Sequence, residues 1–191
     1  MKNRLEDRLQ ITDLMNGWIH RDLSEWDALR SLFHPDGTIE VTWFEGLFSD
    51  FVNASARMGA SDLRTKHLMG SPIVTFNGNR AIVETNAIII AENVKLNLGC
   101  NNHNRFYDLV EKRDGIWKLV HRQSVYDMGT FSFPMGLTEI DTSVAEKYPR
   151  EYAALAYLLE KSGFPVKRVF ATRGSELEQN MKAEGQAWLN A

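Results

Sequence analysis

The strongest candidates for chemistry in this chain are an aspartate at the end of a predicted helix and a histidine at the start of a predicted strand. Leu14, Trp18 and Asp22 are four residues apart, so they share one face of the first predicted helix. Because Leu14 and Trp18 belong to the apolar stripe, the Asp22 carboxylate is expected to face the interior, where it loses hydration and needs a partner. The alternative is that Asp22 ends the helix in solvent or caps the next helix, a common role for aspartate.

His67 stands at the entrance of a predicted strand, on a face that is partly apolar. A histidine in that position is more often a hydrogen-bonded core residue than a catalyst. A buried Asp22 beside it would favour catalysis, because a carboxylate fixes the tautomer, accepts the Nδ1 proton and stabilises the imidazolium. Contact between the two side chains would therefore distinguish the catalytic interpretation from the structural one.

Two tryptophans are candidates for the walls of such a cavity. Trp18 follows Leu14 on the apolar stripe of the first helix, and Trp43 lies in a predicted strand rich in β-branched and aromatic residues. Both could contact an apolar or ring-shaped ligand, although such residues more often belong to the ordinary core.

Three polar side chains are further candidates for binding a substrate. His103 lies in the polar run 101–105, which indicates either an exposed edge strand or hydrogen-bond donors that point into the pocket. Arg122 and Tyr126 share a face of the last predicted strand by alternation. Lys118 falls on that same face and favours solvent, which argues against Arg122.

The periodicity of the chain predicts helices first and consecutive hairpins afterwards. The predicted helices cover about 3–21, 24–33 and 49–58, with Ser24 and Ser49 as caps, and the extended segments cover 38–44, 66–76, 80–93, 97–112 and 116–127. Asn77-Gly78-Asn79 and Arg113-Asp114-Gly115 are typical of hairpin turns. This order indicates an α+β fold with an antiparallel sheet. After an irregular linker, 131–143, helices at 149–162 and 175–189 form a tail too short for its own core, so we expect it to pack on the main domain or on a partner subunit.

Composition excludes several classes of function. The chain has 191 residues, 43% of them hydrophobic and 25% charged, with a net charge of −3, so it lacks the basic field that nucleic acid needs. The single cysteine, Cys100, excludes an internal disulfide and makes a cysteine zinc site improbable. No apolar run approaches a membrane span or a signal peptide, so a cytoplasmic location is expected by default. The five histidines show no metal-ligand spacing, and no phosphate loop or nucleophile elbow occurs, so no metal site is predicted.

The motifs resemble the SnoaL-like branch of the nuclear-transport-factor-2-like superfamily over about residues 3–130. The resemblance rests on Asp22 followed by Leu29-Arg-Ser-Leu-Phe33, on His67 entering a strand, and on Arg113-Asp-Gly-Ile-Trp117 before the last strand. It implies a cone, in which a curved mixed or antiparallel sheet wraps around the N-terminal helices and stays open at one end. Residues 1–130 would form the cone domain and residues 131–191 a linker and helical extension, similar to extensions in uncharacterised bacterial members.

The resemblance also implies an activity. A dehydratase and a dehydrochlorinase of this superfamily use an Asp–His pair, and Asp22 and His67 match its positions; His103 and Arg122 fall near further polar pocket residues. The match predicts that the side chains of Asp22 and His67 lie within hydrogen-bond reach, or one water apart, inside a cavity. It implies a cofactor-independent lyase or isomerase, without a metal, acting on a small hydrophobic, cyclic molecule. A non-catalytic binding domain and an assembly module, like the small subunits of ring-hydroxylating dioxygenases, are the alternatives. The convex sheet face is expected to pair with further copies, as a homodimer or homotrimer.

Overall fold

The computed structural model describes residues 4–191 and confirms the α+β fold class. The helices are α1 (Leu5–Asn16), α2 (Ile19–Asp22), α3 (Trp26–Ser31), α4 (Phe48–Gly59), α5 (Thr142–Ala145), α6 (Ala153–Lys161) and α7 (Glu176–Asn190). The strands are β1 (Phe33–Val41), β2 (Phe44–Leu47), β3 (Leu63–Met69), β4 (Ile73–Asn77), β5 (Arg80–Asn93), β6 (Leu98–Arg113) and β7 (Ile116–Ser132).

The strands form one strongly curled, mixed sheet. Its order is β2-β1-β7-β6-β5-β3, and β4 also pairs with β5. β1 runs parallel to β7, whereas the other pairs are antiparallel, so the predicted all-antiparallel arrangement is corrected at this one pair. The three longest strands, of 14, 16 and 17 residues, lie side by side as β5, β6 and β7. Their length and curvature produce a cone-like half-barrel with a concave face.

Helices fill both ends of the concave face and part of the outer face. Near the N-terminus, apolar side chains of α1, α3 and α4 pack on the sheet to form the first core. At the other end, α6 packs against β5, β6 and β7 to form a second core. On the outer face α7 buries Met181 and Leu189 against Ile82, Tyr107 and Val125. The tail therefore contacts both faces of the sheet of its own chain.

Helix α7 is held on the outer face by an ion-pair network around one arginine. The Arg105 guanidinium lies 2.8 Å from Asp127 and 2.7 Å from Glu178, which belongs to α7. Ser175 caps α7 by accepting a hydrogen bond from the backbone N–H of Glu178. Because the chain itself covers part of the outer face, pairing of that face with further copies stays a prediction.

The predicted N-terminal helix, 3–21, is interrupted; residue 3 lies outside the described residues. α1 ends before Gly17, and several of the hydrogen bonds that follow span three residues rather than four, as from Arg21 N to Trp18 O. Glycine disfavours a helix interior, and a Cβ at Gly17 would lie 2.6 Å from Leu32 Cδ2. The predicted cap at Ser24 is also wrong, since Ser24 has a φ of +60° and α3 begins after Glu25 without a side-chain cap.

The strands and helix starts differ from the predictions where local geometry overrides periodicity. β1 begins at Phe33 and runs through the predicted turn 34–37 with an irregular register, and α4 begins at Phe48, so Ser49 does not cap it. The predicted strand 66–76 is two strands, because Pro72 lacks an N–H for the ladder. The hairpin of Asp114 and Gly115 is confirmed, with both residues at positive φ. β7 extends to Ser132 and α5 lies at 142–145, so only 133–141 of the predicted linker is irregular. None of the helices within residues 4–191 is long and apolar enough to cross a membrane.

Candidate active site

A cavity lies on the concave face between the first and the second core. Its empty volume is about 520 Å³ when the part that opens to solvent is counted, and the space that the centre of a water-sized molecule can occupy is about 40 Å³. Most of the wall is apolar, and three leucines of α6 close one side of it. The polar side chains on the wall are Arg21, Thr42, Thr65, His67, Ser124 and Tyr126. A mainly apolar cavity with a few convergent polar groups is typical of a small-molecule site.

Asp22 and His67 are in direct contact, as the family resemblance predicted. Asp22 Oδ1 lies 2.7 Å from His67 Nδ1, and Asp22 Oδ2 accepts a hydrogen bond of 2.6 Å from the His67 backbone N–H. The two side chains are only 8% and 7% exposed, respectively. Both carboxylate oxygens therefore act on one residue, which fixes the imidazole in position and favours the tautomer with its proton on Nδ1.

The surroundings of His67 keep its imidazole neutral. Burial lowers the pKa of His67 below its ordinary value, and the charges of Arg21 and Arg122 lower it further, whereas the hydrogen bond and charge of Asp22 raise it. With Nδ1 donating to Asp22, the lone pair is on Nε2. Within residues 4–191 no hydrogen bond engages Nε2, and His67 lines the cavity. A neutral imidazole with a free nitrogen at a cavity wall has the properties of a general base.

Arg21 is a functional candidate that the sequence analysis missed. Its Nη1 donates a hydrogen bond of 2.6 Å to Thr65 Oγ1, and its Nη2 lies 3.5 Å from Met58 Sδ. Burial lowers the pKa of Arg21 to about 10, although Asp22, whose Oδ1 is 4.0 Å from Nη1, opposes this. Neighbouring residues do not share a face of a regular helix, so the predicted inward position of Asp22 argued against Arg21 as a residue of the same site. The glycine at position 17 was the one available signal that the helix is irregular.

Arg122 is fully buried, which corrects the expectation that Lys118 places it toward solvent. An extra residue in β7, Val120, shifts the register between the two positions, so the faces of the strand exchange. Arg122 forms a bidentate ion pair with Asp108, through distances of 2.7 Å and 2.8 Å. Its guanidinium carbon lies 4.5 Å from the centroid of the Trp18 ring. Arg122 therefore lies behind the tryptophan, outside the residues that line the cavity.

The predicted aromatic residues do line the cavity. The Trp18 ring packs edge-on against His67, with centroids 5.9 Å apart, and it is only 2% exposed. Trp43 lies in the turn between β1 and β2 and contacts Phe164 at 6.0 Å. Tyr126 is buried, and its hydroxyl accepts a hydrogen bond of 3.2 Å from the Thr42 backbone N–H. Trp18 and Trp43 thus form walls, while the Tyr126 hydroxyl already has a partner.

His103 lies outside the cavity. Alternation along β6 directs Asn102, Asn104 and Phe106 inward, and all three are buried, whereas His103 is exposed on the outer face. The polar run therefore has one buried and one exposed side. The predictions also omitted Ser124, whose buried hydroxyl lines the cavity next to the hydroxyl of Tyr126.

Metal ligands do not cluster in the part of the chain that the structure describes. Residues 4–191 contain no group of three or more His, Cys, Asp or Glu side chains that could hold an ion. Cys100 is buried, and burial raises the pKa of its thiol to about 12, so the thiolate that a metal or an electrophile needs is disfavoured. The groups that could perform chemistry at the cavity are therefore His67, Asp22 and the side chains around them.

The chain combines a sheet curled around helices with an aspartate of α2 that contacts a strand-entry histidine. The chain belongs to the SnoaL-like domain family, which matches residues 3–123. The resemblance drawn from the sequence is thereby confirmed.

Individual relatives are distant. An uncharacterized protein from Emericella nidulans is 27% identical over 172 residues, which are 83% of this chain and 72% of that protein. A crystal structure named as a candidate scytalone dehydratase, from Novosphingobium aromaticivorans, has a TM-score of 0.60 and 22% identity, covering 71% of this chain and 97% of that one. The hexachlorocyclohexane dehydrochlorinase LinA-type3 from Novosphingobium barchaimii has a TM-score of 0.60 and 19% identity, covering 72% and 96%. At these identities the solved structures establish the shared fold.

Proposed function

We propose that this chain is a cofactor-independent lyase or isomerase that removes a proton from carbon in a small, largely apolar, cyclic organic molecule. The observation that carries the proposal is the contact of 2.7 Å between Asp22 and His67 at the wall of an apolar cavity. An assembly module would not need a buried acid–base pair beside a cavity. The dehydratase and dehydrochlorinase names of two structural relatives support an elimination reaction.

His67 is the base in the proposed reaction. Its Nε2 takes a proton from a carbon that a neighbouring carbonyl, ring or halogen makes acidic, and the electron pair of the C–H bond moves toward that group. The imidazolium that forms is stabilised by Asp22 Oδ1, which already accepts the Nδ1 proton. A positioned base typically accelerates such a step by about 10²–10⁴-fold.

The second half of the reaction decides between a lyase and an isomerase. In an elimination the electron pair forms a C=C bond while a hydroxide or halide leaves from the adjacent carbon. His67 then returns its proton to the hydroxide as water or, after loss of a halide, releases it to solvent. In an isomerisation the same proton returns to a different carbon. The aromatic walls formed by Trp18 and Trp43 exclude water and hold the apolar body of the substrate.

Deuterium exchange tests proton abstraction without knowledge of the natural substrate. Cyclic ketones such as 2-tetralone are incubated with the protein in D₂O, and incorporation at the carbon next to the carbonyl is followed by NMR. We expect exchange faster than the buffer-catalysed rate, with loss of the excess in His67→Gln. Because the pKa of His67 is lowered, the rate is expected to fall only below about pH 6.5.

The matched control is His103→Gln, which replaces a histidine on the outer face of the sheet. It is expected to exchange as the wild type does. Exchange that survives in folded His67→Gln, or that is lost equally in both variants, would contradict the role of His67. Saturable binding of the ketone with no exchange by the wild type would instead identify a binding domain.

A further inference from the structure

The charges around the cavity are unequal in how well they are neutralised. Arg122 is fully buried but has a carboxylate of its own, because both oxygens of Asp108 bind its guanidinium. Arg21 is also buried, yet its hydrogen bonds go to a neutral hydroxyl and to a thioether sulfur, which is a weak acceptor. A buried guanidinium without its own anion is costly unless something else compensates it.

The only carboxylate within 4.0 Å of Arg21, among the described residues, is already engaged. Asp22 Oδ1 lies 4.0 Å from Arg21 Nη1, but it is 2.7 Å from His67 Nδ1, and Oδ2 accepts from the His67 backbone. With His67 neutral, Arg21 and Asp22 balance one another. Asp22 nevertheless offsets the charge of Arg21 only from 4.0 Å, so an anion that binds Arg21 directly is already favoured, and the net positive charge that follows protonation of His67 favours it further.

We infer that Arg21 is the group that binds an oxygen anion in the cavity, and that the substrates are small apolar molecules with a carbonyl beside the carbon that His67 deprotonates. This inference rests on the proposed function and names its substrate class. When the C–H bond breaks, the proton goes to His67 Nε2, the electron pair forms a C=C bond, and the carbonyl π electrons move onto oxygen. Arg21 donates hydrogen bonds to the enolate oxygen so formed.

Position and side-chain type both suit Arg21 for this task. Arg21 and His67 line the same cavity, and one oxygen of Asp22 lies between them. A guanidinium has five N–H donors, of which one is used on Thr65 and one on Met58. Its remaining donors are available for an oxyanion, and a charge-assisted hydrogen bond is about twice as strong as a neutral one. Ser124, whose hydroxyl adjoins that of Tyr126, places a second hydroxyl donor on the wall.

The test uses a pair of probes that differ in charge. 4-Nitrophenolate carries an oxygen anion on an aromatic ring, as an enolate does, and 4-nitroanisole has the same ring with a neutral ether. Binding is measured by calorimetry, and the visible absorption of the phenolate reports its ionisation state. We expect the wild type to bind the phenolate at least roughly tenfold more tightly than the ether, and to lower the pKa of the bound phenol.

Substitutions at Arg21 assign this preference to the residue. Arg21→Met removes the charge at similar volume and is expected to abolish the preference, whereas Arg21→Lys keeps part of it. Arg30→Gln, an exposed arginine on α3, is the control and is expected to behave as the wild type. A wild type that binds the phenolate no better than the ether overturns the inference without any variant. So does a preference that persists in a folded Arg21→Met, or failure of the wild type to bind the phenolate at millimolar concentration.

The inference and the proposed function fail in different experiments. In His67→Gln the phenolate preference is expected to remain, because it depends on Arg21, while deuterium exchange disappears. Exchange that depends on His67, together with a phenolate preference indifferent to Arg21, would leave the proposed base in place and remove the oxyanion role. A phenolate preference that depends on Arg21, in a protein that exchanges no ketone proton, would leave the oxyanion role in place and remove the proposed base.

Discussion

The Asp22→Asn substitution is expected to reverse the tautomer of His67. In the wild type, Asp22 Oδ2 accepts from the His67 backbone N–H at 2.6 Å, while Oδ1 lies 2.7 Å from Nδ1. An asparagine has only one oxygen acceptor. The backbone N–H of His67 can act only as a donor, so it donates its hydrogen bond to that oxygen. The amide NH₂ of the asparagine then faces Nδ1. Nδ1 must become an acceptor, which moves the ring proton to Nε2.

The magnitude follows from what the amide removes. A hydrogen bond to a charged group contributes about 1.5–3 kcal/mol, against about 1 kcal/mol for a neutral one. The imidazolium of His67 therefore loses about 1–2 kcal/mol of stabilisation, and the pKa of His67, which burial already lowers, falls further. In a serine-protease triad the analogous substitution reduces kcat by about 10⁴-fold because of the wrong tautomer. A reduction of about 10²–10⁴-fold in the deuterium exchange above is expected here.

NMR of protein with ¹⁵N-labelled histidine measures the tautomer and the pKa directly, without a substrate. His121, whose Nδ1 lies 2.7 Å from Thr38 Oγ1, serves as an internal control because it does not contact Asp22. Asp36→Asn, at an exposed carboxylate that pairs with Arg113, is the control for loss of a negative charge. An unchanged tautomer of His67 in a folded Asp22→Asn, or a pKa that rises, would refute the reasoning.

Three further substitutions test the packing that supports the site. Asp7→Asn weakens hydrogen bonds from three donors and should lower the free energy of unfolding in urea by about 1–3 kcal/mol. Because these donors lower the pKa of Asp7, the difference in stability from the wild type should shrink below about pH 4. A difference that stays constant with pH would mean that the carboxylate is unpaired. Gly185→Ala should destabilise the protein by roughly 1–3 kcal/mol, because the added Cβ meets the Tyr107 ring, 2.6 Å away at Cε1. The control is Ala183→Gly at an exposed position of the same helix, which should cost about 1 kcal/mol by helix propensity alone. A Gly185→Ala variant more stable than the wild type would contradict the close packing. Leu158→Ala, at a fully buried position on the cavity wall, should destabilise the protein by about 2–5 kcal/mol, as measured by a thermal melt. It should also admit probes bulkier than 4-nitroanisole, as measured by calorimetry. Unchanged probe selectivity would argue against α6 as a wall of the cavity.

The contact of Asp22 with His67 was predictable because each half of it depends on local periodicity. Helical spacing placed Asp22 on the side of Leu14 and Trp18, and the entry of His67 into a strand placed it near the mouth of the sheet. The family resemblance joined the two halves, and the structure brings them within 2.7 Å. The hairpin at Asp114 was predictable for the same reason, since its turn chemistry is local.

The position of Arg122 could not be predicted because it depends on the register between strands. Strict alternation relates Lys118 to Arg122, and it fails because Val120 is an extra residue opposite β6. A bulge is a property of a strand pair, and no local sequence pattern at this position announces it. The same limit applied to β1, whose parallel pairing with β7 joins segments more than eighty residues apart.

The interruption of the first helix explains why two consecutive residues both reach the site. On a regular helix Arg21 and Asp22 would point in directions about 100° apart, and only one of them would face the sheet. After the break at Gly17, the short helix α2 ends against β3, where Arg21 binds Thr65 and Asp22 binds His67. The residues that would perform the chemistry are therefore also the ones that attach α2 to the sheet. Loss of either side chain should loosen this attachment as well as change the charge of the cavity, so Asp22→Asn and Arg21→Lys are the variants that separate the two effects.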